Sequence, residues 1–383
     1  MKPEIRVLHV IDRLSGGGAE ESLAVLLEHA DLDRRAHHRA IALVSSHGVG
    51  GSSRPTAGEV LSLGRSSSLM PGDIWDLRHA IRDFKPHIIH SSLFRSSLVS
   101  SLSRRRTPQL VTLTSTDYAV HAPGLRAKQK VGLGVSHRVH GWLLRRPRVH
   151  VHAVSNAVSE AAQQEFGIRP DMTSVVPRGR ADVRNLTRRP RTEVRQELGL
   201  AQDQIVIAMI AREHRVKNHV GFLEAIADAM QVLPGVRAVL AGGPGNASAE
   251  ITDAIERLRL SDHVIRLGHR EDIPDLLAAV DVLACTSHSE GMPGGVIEGL
   301  AAGLPVIAYD APGVDEAVGR GNPGLVPFGD RFAFVDRLIG LSSPNYRAAC
   351  AERSRTRYEQ EFMLEAYIRR MTNLYLELAT SRM

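Results

Sequence analysis

Short apolar runs alternate with longer amphipathic stretches along almost the whole chain, and the alternation starts afresh after Pro190. In the first half the strand-like runs are Ile5–Ile11, His38–Val44, His87–His90, Leu110–Leu113, His150–Val154 and Thr173–Val176. In the second half they are Ile205–Ile210, Arg237–Ala241, His263–Leu267, Val280–Cys285 and Pro305–Tyr309. Helical patterns such as Ala19–Ala30, Gly221–Val232 and Ala249–Leu258 lie between them. A strand that is apolar throughout is buried on both faces, and a helix between successive strands is the crossover that parallel pairing requires. The pattern therefore predicts an α/β chain with two doubly wound parallel sheets, one in each half. With 383 residues, 43% of them hydrophobic, the chain can fill two cores of domains about 150–200 residues long. The first domain is placed at 1–188 and the second at 191–354, with Arg188–Arg191 (RRPR) as linker and Pro190 as breaker. Gly48–Ser68, rich in Gly and Ser, reads as a mobile loop, and Tyr346–Thr380 as one long amphipathic helical pattern.

Several function classes are disfavoured at this level. Aromatic residues make up only 4% of the chain, too few for a platform on which single-stranded bases stack. The two cysteines, Cys285 and Cys350, lack metal-ligand spacing, and Cys285 lies in the apolar run VDVLACT as a buried thiol would. No HExxH pair and no well-placed Asp-x-Asp occurs, since Asp31 and Asp33 fall near a helix end, so no metal site is expected. No apolar stretch approaches the roughly 20 residues that span a bilayer. The run Ile5–Ile11 begins too early for a signal peptide to precede it, and a cytoplasmic location is expected. Charge is divided unevenly: residues 1–190 carry 28 Lys and Arg against 16 Asp and Glu, and the remainder 20 against 26. A basic first half suits an anionic partner.

Three segments could carry chemistry. Ser287–Gly303 (SHSEGMPGGVIEGLAAG) follows a buried strand and leads through a glycine-rich turn into a helix beginning near Gly294. Such a turn aims backbone N–H groups and a positive helix end at an anion. Glu290 precedes the turn and Glu298 lies about a turn inside the helix, so two carboxylates are placed to accept hydroxyl donors from opposite ends of one ligand. Met209–His219 (MIAREHRVKNH) puts Arg212 and Lys217 after another strand on the same sheet edge, where fixed cations can neutralise a diphosphate and stabilise it as a leaving group. Gly16-Gly17-Gly18-Ala19-Glu20 closes the first strand; Glu21 occupies the last position of a would-be G-x-G-x-x-G, so dinucleotide binding is discounted. AGGPGN (Ala241–Asn246) is a similar turn in the second half.

Together these segments resemble the retaining GT-B glycosyltransferases of family 4, whose members share a Glu-x7-Glu motif. The resemblance runs through GGGAE (Gly16–Glu20), HSSLFRSSLVS (His90–Ser100), HAVSNAVSE (His152–Glu160), VVPRGRAD (Val175–Asp182) and AREHRVKNHVGFLEAI (Ala211–Ile226). It continues through AGGPGN, Val264–Ser287 and Glu290–Glu316, the last being the most specific. It implies two Rossmann-like domains facing a central cleft, with the C-terminal helix, about 355–383, packing back on the first. It implies transfer of a hexosyl-type sugar from a UDP-, GDP- or ADP-sugar to a hydroxyl acceptor, with retention and without metal or other cofactor. Glu290 would hold hydroxyls of the transferred sugar, with the backbone of Gly291, Met292, Pro293, Gly294 and Gly295 beside the sugar and phosphates. Glu298 would hold the ribose, Arg212 and Lys217 the diphosphate, and the backbone of Gly268, His269 and Arg270 the base. Gly17 and Gly18 would approach the phosphates as the cleft closes.

Two positions depart from the pattern. A histidine usually follows the strand corresponding to LVTLTSTD; here Ser115, Thr116 and Asp117 stand there, with His121 downstream, so Asp117 or His121 substitutes or the position is dispensable. Gly294 stands where asparagine is common. The acceptor side is read from Arg126–Arg148, where Leu133, Val135, Trp142, Leu143 and Leu144 interleave with cations. That composition suits either an anionic membrane surface or an ordinary surface helix with an apolar underside. The resemblance implies polysaccharide or lipid-linked glycan assembly, and the basic first half suits a peripheral place on the inner face of the cell membrane. A non-hydrolysing nucleotide-sugar epimerase would isomerise sugar with no acceptor present, and a non-catalytic nucleotide-sugar sensor would bind without turnover. A nucleic-acid partner is not expected.

Overall fold

A computed structural model describes residues 5–13, 18–44, 59–65, 71–116 and 127–380. The chain divides into two units, Met1–Gly179 with Glu365–Met383, and Arg180–Leu364. The first contains β1 (Ile5–Ile11), α1 (Gly18–Glu28), β2 (Ala36–Val44), β3 (Glu59–Arg65), α2 (Pro71–Phe84) and β4 (Ile88–Ser92). It continues through α3 (Phe94–Ser103), β5 (Gln109–Leu113), α4 (Ala127–Leu144), β6 (Val149–Ala153), α5 (Asn156–Phe166) and β7 (Thr173–Val175). Its seven strands are parallel in the order β3-β2-β1-β4-β5-β6-β7.

The second unit runs through α6 (Arg191–Glu197), β8 (Val206–Ile210), α7 (His219–Met230), β9 (Arg237–Ala241), α8 (Ser248–Arg257) and β10 (Val264–Gly268). It ends with α9 (Ile273–Ala279), β11 (Val282–Cys285), α10 (Gly294–Ala302), β12 (Val306–Tyr309), α11 (Val314–Val318), β13 (Leu325–Val326), α12 (Arg331–Gly340) and α13 (Pro344–Glu361). Its six strands are also parallel, in the order β10-β9-β8-β11-β12-β13. Each sheet begins in its middle, winds outward on one side for two strands, and then returns to the other side. The reversals at β1/β4 and β8/β11 leave a crevice at the C-terminal strand ends, because the crossovers on either side depart in opposite directions.

Packing explains why these sequences become these strands. In β1, Leu8 and Val10 point to one face and join Ile41, Leu43, Ile89, Leu77 and Phe84 under α2 and α3. Ile11 points to the other and meets Leu23 and Leu27 of α1. The second unit is built round Ile207, Met209, Phe222, Ile226, Leu240, Tyr309 and Phe334, all almost wholly buried. Each such side chain contributes about 1.5–3 kcal/mol on leaving water.

Two readings of the sequence are corrected, and one strand is added. Within Gly48–Ser68, expected as a loop, residues Glu59–Arg65 form the edge strand β3, paired to β2 from Arg39↔Glu59 onward. Backbone pairing on an existing sheet edge supplies what the Gly- and Ser-rich composition conceals. The long C-terminal pattern is two helices, α13 and α14 (Leu364–Thr380). The break comes where the Phe362 carbonyl accepts from the Arg180 N–H at 2.9 Å, and Met363 bridges Arg180. The short strand β13 went unrecognised, its Leu325 and Val326 being too few to show a period.

The change of unit comes at Gly179/Arg180, ahead of Arg188–Arg191, because residues 180–189 are already fastened to the second unit. Arg355 pairs with Asp182 at 2.7 Å, and Asp275 Oδ1 accepts from the Arg188 and Arg189 N–H groups at 2.6 and 3.1 Å. Helix α14 belongs to the first unit, where Tyr375 is fully buried and its hydroxyl lies 2.8 Å from His90 Nδ1.

Candidate functional site

Strands β8 and β11 are the pair flanking the reversal in the second sheet, and the residues that follow them are laced together. After β8 the chain runs along the AGGPGN turn: the Ala211 N–H donates to Ala241 O at 2.9 Å and the Glu213 N–H to Gly243 O at 3.0 Å. Glu213 is 4% exposed, and its carboxylate takes the Arg266 guanidinium and the Ser248 hydroxyl. These donors hold its pKa below the usual carboxylate range, the Arg266 hydrogen bonds contributing most. A single 3-10 turn, Arg215–Lys217, follows, and Asn218 then adopts a left-handed conformation at φ 55° while its side chain caps α7 by accepting from the Gly221 N–H.

The segment after β11 closes onto that turn. Thr286 Oγ1 donates to the Asn218 carbonyl at 3.0 Å, and the His288 N–H donates to Val216 O at 2.8 Å. Lys217 Nζ thereby reaches Glu290 Oε1 at 2.5 Å, and the Ser287 hydroxyl donates to the same oxygen at 2.7 Å. Both bonds fall on Oε1, which leaves Oε2 to accept from a ligand hydroxyl. The Glu290 side chain is 11% exposed and that of Lys217 23%, so the pair is sheltered but reachable. Lys217, Cys285, Ser287, Glu290, Gly294 and Gly295 share the lining of one small pocket. The Cys285 thiol there is buried and free, and burial pushes it up to about 11, so it is a packing group and not a thiolate.

Helix α10 opens onto this pocket. Pro293 is its N-cap and supplies no side-chain cap, so the N–H groups of its first turn remain available to a ligand. Pro293 has no N–H of its own, and the donors begin at Gly294. Gly295 is required by proximity: a Cβ there would stand 2.7 Å from Ile210 O at the end of β8. Glu298 lies one turn further in, where Arg180 Nε approaches its Oε1 at 3.2 Å. Met292 is 3% exposed and Gly291 is buried beside it.

Arg212 sits at the same sheet edge with an exposed side chain that makes no ion pair among the described residues. Gly268 ends β10 at φ +65°, and its carbonyl accepts from the Gly242 N–H at 2.7 Å, which sets that backbone beside the AGGPGN turn. His269 is exposed, whereas the Arg270 side chain is occupied by Asp272 at 2.7 Å and Glu197 at 3.1 Å, so that only its backbone is available. In the first unit, Gly18 opens α1, where a Cβ would stand 2.8 Å from Arg178 Nη1. Gly17, Asp117 and His121 lie outside the described residues.

The second unit therefore gathers Lys217 with Glu290 and puts Arg212, Glu298 and Gly268 on the same edge. Four partners escaped the sequence reading: Ser287 and Thr286, which face inward from the end of a buried strand; Glu213, masked by the basic letters around it; and Arg180, more than a hundred residues from its carboxylate. For the first two a signal existed, since a Thr-Ser pair directly after VDVLAC is polar where the strand has been apolar.

The family described as "Glycosyl transferases group 1" matches residues 190–357, and "Glycosyltransferase Family 4" matches residues 16–182. A D-inositol 3-phosphate glycosyltransferase of Nocardia farcinica is 32% identical over 199 residues, covering 49% of this chain and 44% of that protein. A 2-deoxystreptamine N-acetyl-D-glucosaminyltransferase of Streptomyces fradiae is 26% identical over 279 residues, covering 68% and 63%. The chain thus spans less than two thirds of the length of the curated relatives it matches. Among solved structures, HepE of Anabaena in complex with UDP and glucose superposes with a TM-score of 0.78 at 22% identity, covering 97% of this chain and 99% of that one. Sucrose-phosphate synthase from Thermosynechococcus elongatus gives 0.80 at 18% identity, covering 97% and 99%. At such identities the structures speak to fold, and they share the GT-B fold of two parallel-sheet α/β units. From the two family matches and this fold, the chain belongs to the family 4, group 1 glycosyltransferases.

Proposed function

We propose that this protein transfers a hexosyl-type sugar from a nucleoside-diphosphate sugar to a hydroxyl acceptor, with retention at the anomeric carbon. The observation that carries the reading is the cluster at the β8/β11 reversal, where Lys217 and Ser287 hold one oxygen of Glu290 beside the open N-terminus of α10. Glu290 Oε2 accepts a hydroxyl of the transferred sugar. The first turn of α10, Lys217 and Arg212 take the diphosphate, and Glu298 takes the ribose. The backbone from Gly268 to Arg270 lies where a base would extend along the strand ends. The bond from the anomeric carbon to the β-phosphate oxygen breaks as the acceptor oxygen bonds to that carbon from the same face, and the acceptor proton passes to the leaving phosphate oxygen. Fixed cations and helix N–H groups stabilise the charge that grows on that phosphate, a role they can fill without a metal. HepE, crystallised with UDP-glucose, makes UDP-sugars the first donors to try.

The acceptor side is assigned to the first unit, and its basic surface suits a lipid-linked or otherwise anionic acceptor at a membrane. Trp142 is 49% exposed there, with the Arg146 guanidinium 4.7 Å from its ring centroid, the amphipathic pairing that membrane interfaces favour. Among the described residues no helix is long and apolar enough to cross a membrane. A thermal-shift screen with UDP-, GDP- and ADP-sugars tests the donor reading, because a ligand that binds only the native state raises the melting temperature. A stabilising donor that is then consumed in the presence of a hydroxyl acceptor is the expected outcome. No shift with any of the three sinks the reading. Sedimentation with anionic against neutral vesicles tests the membrane part, and equal, negligible binding to both removes it.

A further inference from the structure

Arg180 is a cation at this edge that lies outside both motifs. Its backbone is pinned in the second unit: the N–H donates to Phe362 O at 2.9 Å, and the carbonyl accepts from the Tyr358 hydroxyl at 2.9 Å. The side chain extends from that anchor to α10, where it is only 5% exposed and Nε lies 3.2 Å from Glu298 Oε1. Its far end occupies space that any side chain at position 294 would contest, since a Cβ on Gly294 would stand 3.0 Å from Nη2. Gly294 is the first residue of α10, so the guanidinium rests over the turn whose N–H groups are uncapped. The absent side chain at 294 and the arginine at 180 are thus two halves of one feature.

We infer that Arg180 is a positioning residue for the donor, one that holds the Glu298 carboxylate in the orientation that receives the ribose hydroxyls. This rests on the donor reading given above. An isolated carboxylate on a helix turns freely among rotamers. One with an oxygen fixed by a buried guanidinium presents the other in a set direction, and a charge-assisted bond is stronger than a neutral one. The guanidinium also adds positive charge beside the first turn of α10, at the junction between ribose and diphosphate.

The test uses the full chain and whichever of UDP, GDP or ADP the wild type binds, together with the 2′,3′-dideoxy form of the same nucleotide, with dissociation constants measured calorimetrically. Wild type should favour the ribo form, since Glu298 reads hydroxyls that the dideoxy form lacks. In Arg180→Gln the ribo form should weaken by about tenfold while the dideoxy form changes little, the scale of losing one charge-assisted hydrogen bond. Glu298→Gln should lose the same preference, and the double variant should lose no more than either single one, as coupled partners do. Arg180→Lys should recover part of the preference. Gly294→Ala, which leaves Arg180 in place but crowds its guanidinium, should reduce the preference by the same route, and it serves if Arg180→Gln fails to fold. An unchanged ribo-to-dideoxy ratio in folded Arg180→Gln or Gly294→Ala overturns the inference. A wild type that binds none of the three diphosphates overturns the donor reading instead.

Discussion

The face of the first sheet that lies under α14 carries histidines in place of aliphatic side chains, and it makes the first unit sensitive to acid. His9, His38, His90 and His152 project from β1, β2, β4 and β6, each 6% exposed or less. Four bonds fix the tautomers of His152 and His90 in a single direction. His152 Nε2 lies 2.9 Å from the Val176 carbonyl, which can only accept, so this nitrogen carries the proton and Nδ1 accepts from the Thr112 hydroxyl at 2.9 Å. Thr112 Oγ1 then accepts from His90 Nε2, and His90 Nδ1 accepts from the Tyr375 hydroxyl at 2.8 Å. Both rings, Thr112 and Tyr375 are satisfied with the rings neutral, and a proton added to either ring takes away the acceptor of a buried hydroxyl. Burial pushes the pKa of His38 down to about 4, of His90 to about 3 and of His152 to about 4, with neighbouring histidines lowering His90 further and Arg178 lowering His152. The backbone acceptor Val176 works the other way on His152, and Asp33 does so on His38. His9 is lowered also, by burial and by His38 and His90.

The sign follows from proton uptake. Unfolded, these imidazoles bind a proton near 6.5; folded, His38, His90 and His152 do so only near 3 to 4, so the unfolded state gains protons first. Stability is therefore complete above pH 6.5 and is lost as pH falls from there toward 4. A shift from 6.5 to about 4 removes roughly 2 kcal/mol per histidine by pH 5. Three such groups lose up to about 6 kcal/mol, an upper figure because they interact, against a typical domain stability of about 5–15 kcal/mol. Both tryptophans, Trp75 and Trp142, lie in the first unit, so their fluorescence reports on that unit. Urea midpoints followed by tryptophan fluorescence should be flat between pH 8 and 7 and fall steeply between 6.5 and 5. A midpoint at pH 5 equal to that at pH 7.5 would refute the buried neutral layer. Tyr375→Phe, which leaves His90 Nδ1 without its donor, should lower stability at pH 7.5 by about 1 kcal/mol or more.

Arg212→Ala should lower turnover roughly tenfold to a thousandfold with little change in melting temperature, since its exposed side chain supports charge and not packing; near-normal turnover would remove it from the diphosphate site. Lys217→Met frees Glu290 Oε1 from one of its two donors and should weaken donor binding, whereas Ser287→Ala removes the neutral donor and should weaken it by less, about 1 kcal/mol; calorimetric titration ranks the two. Arg195 is fully buried, with Nη2 2.6 Å from Asp281 Oδ2 and Nε 2.8 Å from Ala279 O, so Arg195→Ala should destabilise the second unit by about 3–5 kcal/mol in chemical denaturation. A loss under 1 kcal/mol would mean that water replaces the guanidinium there.

Period and punctuation made much of this protein legible from its sequence. Ile5–Ile11 and Arg237–Ala241 are strands with those same bounds because a short, mainly apolar run between polar segments buries best within a sheet. The glycine-rich turn and the start of α10 at Gly294 were equally local, and so was the placing of Lys217 and Glu290 after neighbouring strands. What the sequence could not show were features made by partners. Strand β3 exists because β2 offers it an edge, and α13 and α14 part where Arg180 takes the carbonyl of Phe362. The histidine layer looks like scattered polar letters until the parallel register sets five strands side by side beneath Tyr375. Ser287 and Arg180 acquire meaning only from the carboxylates they meet, one of them across more than a hundred residues. Local periodicity decides which segments become strands and helices, while the contacts that orient Glu290 and Glu298 arise only when the sheet brings its C-terminal strand ends together.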